Sequence, residues 1–346
     1  MVTERLLPWY IARFLPKLCI IALLSLAGCQ GDVSEVNLWD GPAAPGERTL
    51  IASRWDTLWT VGGSLEDTLL QIPRIHRADS SRVLVYDHGA MRLLVYDYSG
   101  QLQWSFGRRG QGPDEFASVR DIRISGTGKI VLLDPANARL VELEDGARVS
   151  ARIPLHNIPH SEQMVAINDG FVLMTHDIET PLFVIDREGT VVQRMEVPWE
   201  GFSKLDPLVR QGRVANSGDS WALSFSLGNG WFPFSGTDAL PYLGQYVQHT
   251  PFPVPIVMVT ENTRSVQIPT RTCSGCSVSL SDSVLYVHFG GDGPDHLQVI
   301  DLWETGDYIG SYRLPDPMAE VFVQGGVFYV LQYHPYPTLL ALRAGG

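Results

Sequence analysis

Three arginines, Arg74, Arg120 and Arg213, stand in comparable places in the sequence. Each opens or directly precedes a stretch that has the pattern of a β-strand. Guanidinium groups gathered at the starts of neighbouring strands would favour a carboxylate or phosphate ligand, because each presents several donors in a planar fork. The alternative is that they pair with neighbouring acids such as Asp121 and have only a structural role.

Nine histidines form a second set. Five of them fall in predicted turns, where they could surround a metal ion: His88, His176, His288, His296 and His334. Their spacing lacks the H-x-x-x-H pattern with a third ligand, and a turn histidine is commonly solvated or bonded to the backbone. We therefore predict no metal site and expect no cofactor.

Two cysteines, Cys273 and Cys276, are separated by only a serine and a glycine. A redox dithiol usually needs a helix N-terminus to lower its thiol pKa, and no helix is predicted here. Ser277 stands where a haem-attachment motif needs histidine, and a zinc site would need a second ligand pair. A local disulfide in an oxidising compartment is the remaining prediction.

A stretch at 228–253 is rich in aromatic residues and prolines. Its aromatic residues are Trp231, Phe232, Phe234, Tyr242, Tyr246 and Phe252. It interrupts the strand pattern like an insertion, and long insertions are either functional or packed against the domain. Both alternatives stay open, and Trp231 and Phe234 are its candidate binding anchors.

No nucleophile elbow, phosphate loop or catalytic carboxylate pair is found, so enzymatic activity is uncertain and not favoured.

The elements that must position these residues are short strands. Predicted strands at 119–124, 129–133 and 138–143 follow a glycine-rich loop at 107–118. Three antiparallel strands cannot bury their faces alone, so the unit must be repeated and stacked. The Asp87 and Arg92 pair recurs at Asp134 and Arg139, and a period of about 45 residues is typical of propeller blades.

The most regular of these units resembles the NHL repeat, a blade of six-bladed β-propellers. Its residues that carry the resemblance are Gly110, Gly112, Pro113, Phe116, Asp134, Asn137 and Arg139. The resemblance covers about 35 residues and implies a fold more strongly than an activity. It also implies that the aspartate anchors the turn after its strand and that the arginine packs between blades.

The sequence therefore predicts an all-β, six-bladed propeller of four-stranded antiparallel blades. We place the blades at 72–107, 119–155, 163–198, 212–269, 277–314 and 319–343. The last blade lacks one strand, and residues 54–61 supply it, so that an N-terminal strand closes the ring.

In a propeller, inter-blade loops and second-to-third-strand turns emerge on one face. We expect the binding-face candidates to lie there: Arg74, Arg108, Arg109, Arg120, Arg213, Trp231, Phe234, His88, His176, His288 and His334.

The N-terminus resembles that of a bacterial lipoprotein. Basic residues precede an apolar run at 18–27, which is too short to span a bilayer. The run ends in Leu-Ala-Gly-Cys, like a lipobox, which implies that Cys29 is lipidated and becomes the new N-terminus. We predict a signal peptide at 1–28, a flexible tether at 29–48 and one propeller domain at 49–346. Gln30 favours the outer membrane in a host with two membranes.

The net charge of −12 indicates a surface that repels nucleic acid and anionic lipid. Attachment to the membrane is then expected through the lipid alone. The sequence predicts a lipid-anchored cell-envelope propeller that binds or scaffolds an unknown protein or small molecule. The alternative is a propeller hydrolase or lyase, similar to lactonases, with a metal at the mouth of its channel.

Overall fold

A computed structural model describes residues 46–346, except 53, 65–70, 80, 159, 176–179, 207–208, 211, 229, 242, 248–251, 253–254, 260–263, 269–272, 274, 291–297, 316–317 and 346. The predicted signal peptide, Cys29, most of the tether, His176 and His296 lie outside the described residues. Within the described ranges, no helix is long and apolar enough to cross a membrane.

Six blades of four antiparallel strands make up the ring; among the described residues, one blade gains a fifth strand and a separate two-stranded hairpin follows another. Two strands, β1 (Leu50–Ala52) and β2 (Trp55–Gly62), precede the first complete blade. Blade 1 contains β3 (Pro73–Ala78), β4 (Arg82–Asp87), β5 (Arg92–Asp97) and β6 (Leu102–Phe106). Blade 2 contains β7 (Asp121–Ile124), β8 (Ile130–Asp134), β9 (Arg139–Glu144) and β10 (Arg148–Pro154), with a 3-10 turn at Pro135–Asn137. Blade 3 contains β11 (Ser161–Ile167), β12 (Gly170–Thr175), β13 (Leu182–Ile185) and β14 (Val191–Met195), followed by a 3-10 turn at Glu200–Lys204.

The other three blades repeat this plan with changes at their outer edges. Blade 4 contains β15 (Gly212–Ser217), β16 (Ser220–Phe225), β17 (Trp231–Ser235) and β18 (Asp238–Ala239), and a separate hairpin of β19 (Ile256–Val259) and β20 (Arg264–Gln267) follows it. Blade 5 contains β21 (Ser277–Ser281), β22 (Val284–Phe289), β23 (Val299–Glu304) and β24 (Asp307–Arg313). Blade 6 contains β25 (Glu320–Gln324), β26 (Val327–Gln332) and β27 (Thr338–Ala344).

The hydrophobic core lies between neighbouring blades. Strand β8 is buried at all five positions because blades cover both of its faces, whereas exposed and covered residues alternate along most of the outer strand β10. One apolar cluster joins Leu84 and Val95 of blade 1 to Ile122 and Leu132 of blade 2. The middle strands therefore show continuous apolar runs in the sequence, and the outer strands keep a period of two.

The repeated aspartates fasten inter-blade loops to their blades. The fully buried Asp87 carboxylate accepts hydrogen bonds of 2.9 Å from the backbone N–H groups of Gln71 and Ile72. In the next blade, the buried Asp134 accepts a bond of 3.0 Å from the N–H of Ser118. Both carboxylates thus satisfy backbone donors at the start of a blade, which explains why aspartate recurs at this position.

The ring closes as the sequence predicts. Strand β2 pairs antiparallel with β27, from Trp55 opposite Ala344 to Gly62 opposite Thr338, so it is the fourth strand of blade 6. This removes the free edge that β27 would otherwise present.

One N-terminal element was not predicted. Strand β1 pairs in parallel with β24 and extends the sheet of blade 5 to five strands. The Gly46 N–H donates to the Val247 carbonyl at 3.2 Å, and Arg48 binds Asp301 through Nε at 2.9 Å and Nη2 at 3.0 Å. Residues 46–48, assigned to the tether from the sequence, are therefore fixed against the propeller.

Candidate ligand site at the mouth of the central channel

The direction of the strands defines two faces of the ring. Since strands alternate in direction, the first strands of all six blades start on the face from which the inter-blade loops and second-to-third-strand turns emerge. We call this the inter-blade face, and the opposite one the hairpin face. Residues at the starts of β3, β7, β11, β15, β21 and β25 consequently surround one opening of the central channel.

Two neighbouring cavities occupy this opening. The channel cavity has a volume of about 70 Å³ and receives residues from all six blades: Arg74, Arg120, Gln163, Arg213, Ser277 and Glu320. A larger vestibule of about 500 Å³ shares Arg120, Gln163 and Arg213 with it. The structure thus brings together the three arginines that the sequence singled out. Arg120 and Arg213 line both cavities, and Arg74 lines the channel cavity.

A buried ion pair forms part of the channel wall. Arg123 Nη2 lies 2.8 Å from Asp121 Oδ2, and both side chains are 6% exposed. Arg123 also donates to the Met164 carbonyl at 2.8 Å and to the Val214 carbonyl at 2.9 Å, while Asp121 accepts from the Met164 N–H at 2.8 Å. The pair links blades 2, 3 and 4, and its two charges compensate each other.

The arginines at the opening are much more accessible. Arg120 lies 3.6 Å from Glu162, but their side chains are 44% and 31% exposed. Glu162 also contacts His160 at 3.2 Å. Arg74 is exposed and Arg213 half-buried, and among the described residues Arg213 forms no ion pair. Apart from the buried pair, the two cavities contain three guanidiniums and two carboxylates, those of Glu162 and Glu320.

The charge in these two cavities is therefore positive on balance, whereas the whole chain carries a net charge of −12. An exposed ion pair in water contributes little stability, so Arg120 can exchange Glu162 for another anion at little cost. The opening therefore favours negatively charged groups from solution.

The disulfide loop forms another wall of the opening. Cys273 and Cys276 are joined by a disulfide with their Cα atoms 5.3 Å apart. Cys276 lines the channel cavity and Cys273 the vestibule. Between them, Gly275 fits so closely that a Cβ there would lie 2.7 Å from the Phe225 carbonyl and the Tyr246 hydroxyl.

Tyr246 supports this loop from below. Its hydroxyl donates to the Phe225 carbonyl and contacts Ser224 Oγ at 2.5 Å. Burial raises the pKa of the Tyr246 hydroxyl well above its usual value, so it stays protonated and able to donate. Tyr246, an aromatic residue of the 228–253 stretch, therefore packs against the disulfide loop that forms one wall of the opening.

The two aromatic residues predicted as binding anchors are buried, which corrects that prediction. Trp231 and Phe234 are 3% and 1% exposed and lie in β17, the third strand of blade 4. Phe234 stacks on Trp221 with ring centroids 4.0 Å apart. The insertion in blade 4 comes after β18 instead, where β19 and β20 form a separate hairpin. Because β17 is covered on both faces, its sequence lacks the alternation that would have identified a strand.

Arg108 and Arg109 lie outside the opening, in the loop that leads from blade 1 to blade 2. Arg108 Nε donates to Glu115 Oε1 at 2.9 Å, and Arg109 forms a parallel bridge with Phe116. The Gly112 N–H and Arg108 lower the pKa of the Glu115 carboxyl. Both arginines are exposed on the inter-blade face, but neither lines the two cavities.

The described histidines do not form a common site. His88 and His334 occupy second-to-third-strand turns, as predicted. His288 instead lies within β22, is 2% exposed, and has its pKa lowered to about 4 by burial. It is neutral and enclosed, so its prediction as a turn residue on the binding face was wrong. In the described part of the chain, no group of three His, Cys, Asp or Glu residues is placed to hold a metal ion.

Sequence reasoning missed two polar features of the channel wall. The Gln163 amide donates to the Gly212 carbonyl and accepts from the Val214 N–H at 2.8 Å, which joins blades 3 and 4. Ser277 and Ser279 accept hydrogen bonds from the N–H groups of Val321 and Val323 in β25 at 3.2 and 2.9 Å, and Ser281 accepts one at 3.1 Å from the Gly325 N–H just after that strand. The alternating serines of β21 were a visible signal for a polar face toward the next blade.

Six four-stranded blades around a channel to which every blade contributes define a six-bladed β-propeller. Sequence comparison agrees, since residues 65–146 match a family described as a 6-bladed beta-propeller. That range covers blade 1 and most of blade 2. A search of curated protein sequences finds no significant match.

Solved structures show the same architecture at low sequence identity. A member of the duf4221 family from Bacteroides vulgatus is 8% identical, with a TM-score of 0.58 over 84% of this chain and 98% of that one. A Bacteroides fragilis protein named as exported is 11% identical, with a TM-score of 0.54 over 89% of this chain and 98% of that one. Virginiamycin B lyase from Staphylococcus aureus is 13% identical, with a TM-score of 0.46 over 84% of this chain and 99% of that one. At these identities the likeness to the two Bacteroides proteins shows the fold alone.

Proposed function

We propose that this chain is a lipid-anchored binding module outside the cytoplasm whose channel opening holds a carboxylate or phosphate group of its ligand. The observation that carries the proposal is the meeting of Arg74, Arg120 and Arg213 at one cavity of a strongly acidic chain. Guanidinium groups bind planar anions through paired hydrogen bonds. They do not act as metal ligands, so this lining favours a binding role over a metal-dependent hydrolase or lyase.

The two cavities differ in size and lining, which indicates how a ligand would lie. The channel cavity of about 70 Å³ is large enough for a compact anionic group only. The vestibule of about 500 Å³ includes Met174 and Leu227 beside the shared arginines, and this volume is common for small-molecule sites. The ligand would place its anionic group between Arg120 and Arg213 and its less polar body in the vestibule.

The anchoring half of the proposal rests on the lipobox-like sequence that ends at Cys29. The similarity in fold to a Bacteroides fragilis protein named as exported agrees with an address outside the cytoplasm. The matched test is membrane fractionation of the wild-type chain and of Cys29→Ser. We expect the wild type in the membrane fraction and the variant in the soluble envelope fraction. A variant that stays with the membrane would disprove lipid anchoring.

The binding half is tested with pairs of anions and their neutral counterparts. Phenylacetate, decanoate and phenyl phosphate, each beside the corresponding alcohol, are titrated against the purified chain by saturation-transfer NMR and calorimetry. We expect at least one anion to bind saturably and more tightly than its alcohol. Binding should weaken as salt is raised, because charged groups at the opening are screened.

Variants then locate the site. Arg213→Gln and Arg120→Gln should each weaken the anion about 10-fold or more, as loss of a charge-assisted hydrogen bond predicts. Arg148→Gln, on the exposed outer strand of blade 2, makes the same charge change away from the opening and should have little effect. If no anion binds, or if all three variants lose affinity equally, the proposed site is wrong.

A further inference from the structure

The disulfide at the channel opening has one cysteine in each of the two cavities. Cys276 lines the channel cavity and Cys273 lines the vestibule. Both residues are half-buried, unlike the fully covered side chains of the blades. The disulfide therefore belongs to the lining of the proposed anion site and is not enclosed within a blade.

This cross-link contributes little to the stability of the fold. The two cysteines are three positions apart, and a disulfide stabilises less when the loop that it closes is shorter. Hydrogen bonds also hold the loop: the Gly290 N–H donates to the Cys273 carbonyl and the Cys276 N–H to the His288 carbonyl, both at 2.9 Å. These bonds do not involve the sulfur atoms, so the disulfide can open while the loop stays attached to blade 5.

The charges around the disulfide favour its opening. Reactive cysteines lie in half-exposed, positively charged surroundings, because a nearby cation stabilises the thiolate. Apart from the buried ion pair of the wall, the described residues that line the channel cavity with Cys276 include three guanidiniums and one carboxylate, that of Glu320. The arginines thus supply the positive field that a helix N-terminus provides in other redox-active pairs.

The two cavities give the two sulfur atoms different roles. The vestibule, of about 500 Å³, has room for a small molecule beside Cys273. The channel cavity, of about 70 Å³, has more positive charge in its lining, since Arg74 is present there in addition to Arg120 and Arg213. Exchange is faster when the leaving thiolate is stabilised. Attack at Cys273 with departure of the Cys276 thiolate is therefore the favoured direction.

We propose that Cys273 and Cys276 form an exchangeable disulfide whose substrate is a small thiol that carries a carboxylate. The inference rests on the anion site proposed above. The carboxylate would lie between Arg120 and Arg213, which line both cavities, and the thiol would remain in the vestibule with Cys273.

The exchange has two steps. The substrate thiol loses its proton to solvent, and its thiolate attacks Cys273 Sγ. A new S–S bond forms there, the bond to Cys276 breaks, and its electron pair leaves on Cys276 Sγ as a thiolate. A second substrate thiolate then attacks the substrate sulfur of this mixed disulfide and releases Cys273 as a thiolate. The two cysteines are thereby reduced by two electrons, and two substrate thiols are oxidised to one disulfide.

Two thiols of the same size provide a matched pair of probes. 3-Mercaptopropionate carries a carboxylate, whereas 3-mercaptopropionamide is neutral. The full-length chain is mixed with excess thiol without oxygen at low salt, quenched in acid and alkylated. Mass spectrometry of the proteolytic peptide that contains Cys273 and Cys276 gives the rate of reduction. The same two thiols acting on bis(2-hydroxyethyl) disulfide, which is uncharged, correct for their different intrinsic reactivities.

The corrected rates measure the preference for the carboxylate. We expect 3-mercaptopropionate to react about 10-fold or more faster than the amide, as charge-assisted hydrogen bonds to the arginines predict. The double variant Arg120→Gln with Arg213→Gln should bring this ratio to within about threefold of unity. Arg148→Gln, on the exposed outer strand of blade 2, should keep the wild-type ratio. Melting curves show whether each variant is folded, and the wild-type ratio decides the question even if one is not.

Three results would overturn the proposal. The first is a corrected ratio below about twofold in the wild type. The second is a disulfide that neither thiol reduces until urea unfolds the chain. The third is a preference that persists in the folded double variant, because the carboxylate is then held elsewhere.

Titration with phenylacetate, which has no thiol, tests the anion site separately. If phenylacetate binds and Arg213→Gln weakens it, but the exchange shows no preference for the carboxylate, the proposed function stands and the inference about the disulfide fails. If none of the unreactive anions binds, the proposed function fails, and the exchange rates alone decide whether the disulfide takes carboxylate-bearing thiols.

Discussion

Arg120 and Arg123 stand three residues apart at the inner edge of blade 2 and are used in opposite ways. Arg123 is buried with Asp121 at 2.8 Å and holds backbone carbonyls of two other blades. Arg120 is 44% exposed and pairs with Glu162 at the longer distance of 3.6 Å. The first pair belongs to the wall of the channel and the second to its opening.

The difference shows how the ring separates stability from binding. A buried charge must keep its partner, because removal leaves an uncompensated ion in a medium of low polarity. An exposed charge can exchange its partner for a ligand with little loss. Changes in the wall should therefore alter the free energy of unfolding, whereas changes at the opening should alter affinity.

The largest expected effect comes from removing the acid of the wall pair. Asp121→Ala leaves Arg123 buried without its counter-charge and should reduce the free energy of unfolding by about 3–5 kcal/mol. Urea denaturation measures this loss. The double variant Asp121→Leu with Arg123→Met replaces both charges by apolar groups and should be closer to the wild type. If Asp121→Ala lowers the free energy of unfolding by less than about 1 kcal/mol, the Asp121–Arg123 pair contributes no more stability than an exposed ion pair does.

A second effect concerns a neutral group enclosed in blade 5. Burial lowers the pKa of His288 to about 4, compared with 6.5 for the free side chain. Between those values the unfolded chain binds a proton at His288 that the folded chain does not, so stability falls as pH is lowered through this window. The shift corresponds to about 2 kcal/mol of stability lost between pH 7 and pH 5.

The matched measurement compares wild type with His288→Gln, which cannot titrate. Urea denaturation at pH 7 and pH 5 gives the loss for each chain, and the loss in the variant should be smaller by the amount that His288 contributes. Equal losses would show that His288 is accessible to protons in the folded state, contrary to its 2% exposure.

The general plan of the ring was predictable because it rests on local repeats. The Asp87 and Arg92 pair and its counterpart at Asp134 and Arg139 mark equivalent turns of adjacent blades. The closing strand was predictable because the last blade was one strand short. The meeting of Arg74, Arg120 and Arg213 was predictable for a similar reason. Each lies near the start of the first strand of its blade, and the first strands of all blades start on one face.

What the sequence could not show depends on contacts between distant residues. Trp231 and Phe234 looked like loop anchors, because a strand buried on both faces loses its alternation. The extent of β22 is set by pairing of His288 with Ile300 in β23, which local sequence does not encode. The parallel pairing of β1 with β24 joins Leu50 to Ser311 and has no local signal either.

A third effect tests the serine ladder that joins blades 5 and 6. Ser279→Ala removes the acceptor for the Val323 N–H, now bonded at 2.9 Å in a buried position. The donor left behind should lower the free energy of unfolding by about 1–2 kcal/mol. Ser105→Ala, on the exposed outer strand β6, is the control and should change it little. If Ser279→Ala and Ser105→Ala change the free energy of unfolding equally, water has replaced the Ser279 hydroxyl as the acceptor for the Val323 N–H.

The smallest effect on stability is expected at the opening, and there affinity should respond instead. Glu162→Gln removes the acid that competes for Arg120 and keeps the size of the side chain. Because both partners are substantially exposed, the free energy of unfolding should change by less than about 0.5 kcal/mol. With one carboxylate fewer beside Arg120 and Arg213, an anion bound at the opening should gain about 3-fold or more in affinity. Calorimetry with the anion that binds the wild type measures this gain. A loss of affinity would show that Glu162 positions Arg120 for the ligand. A loss of several kcal/mol in stability would show that this pair belongs to the wall after all.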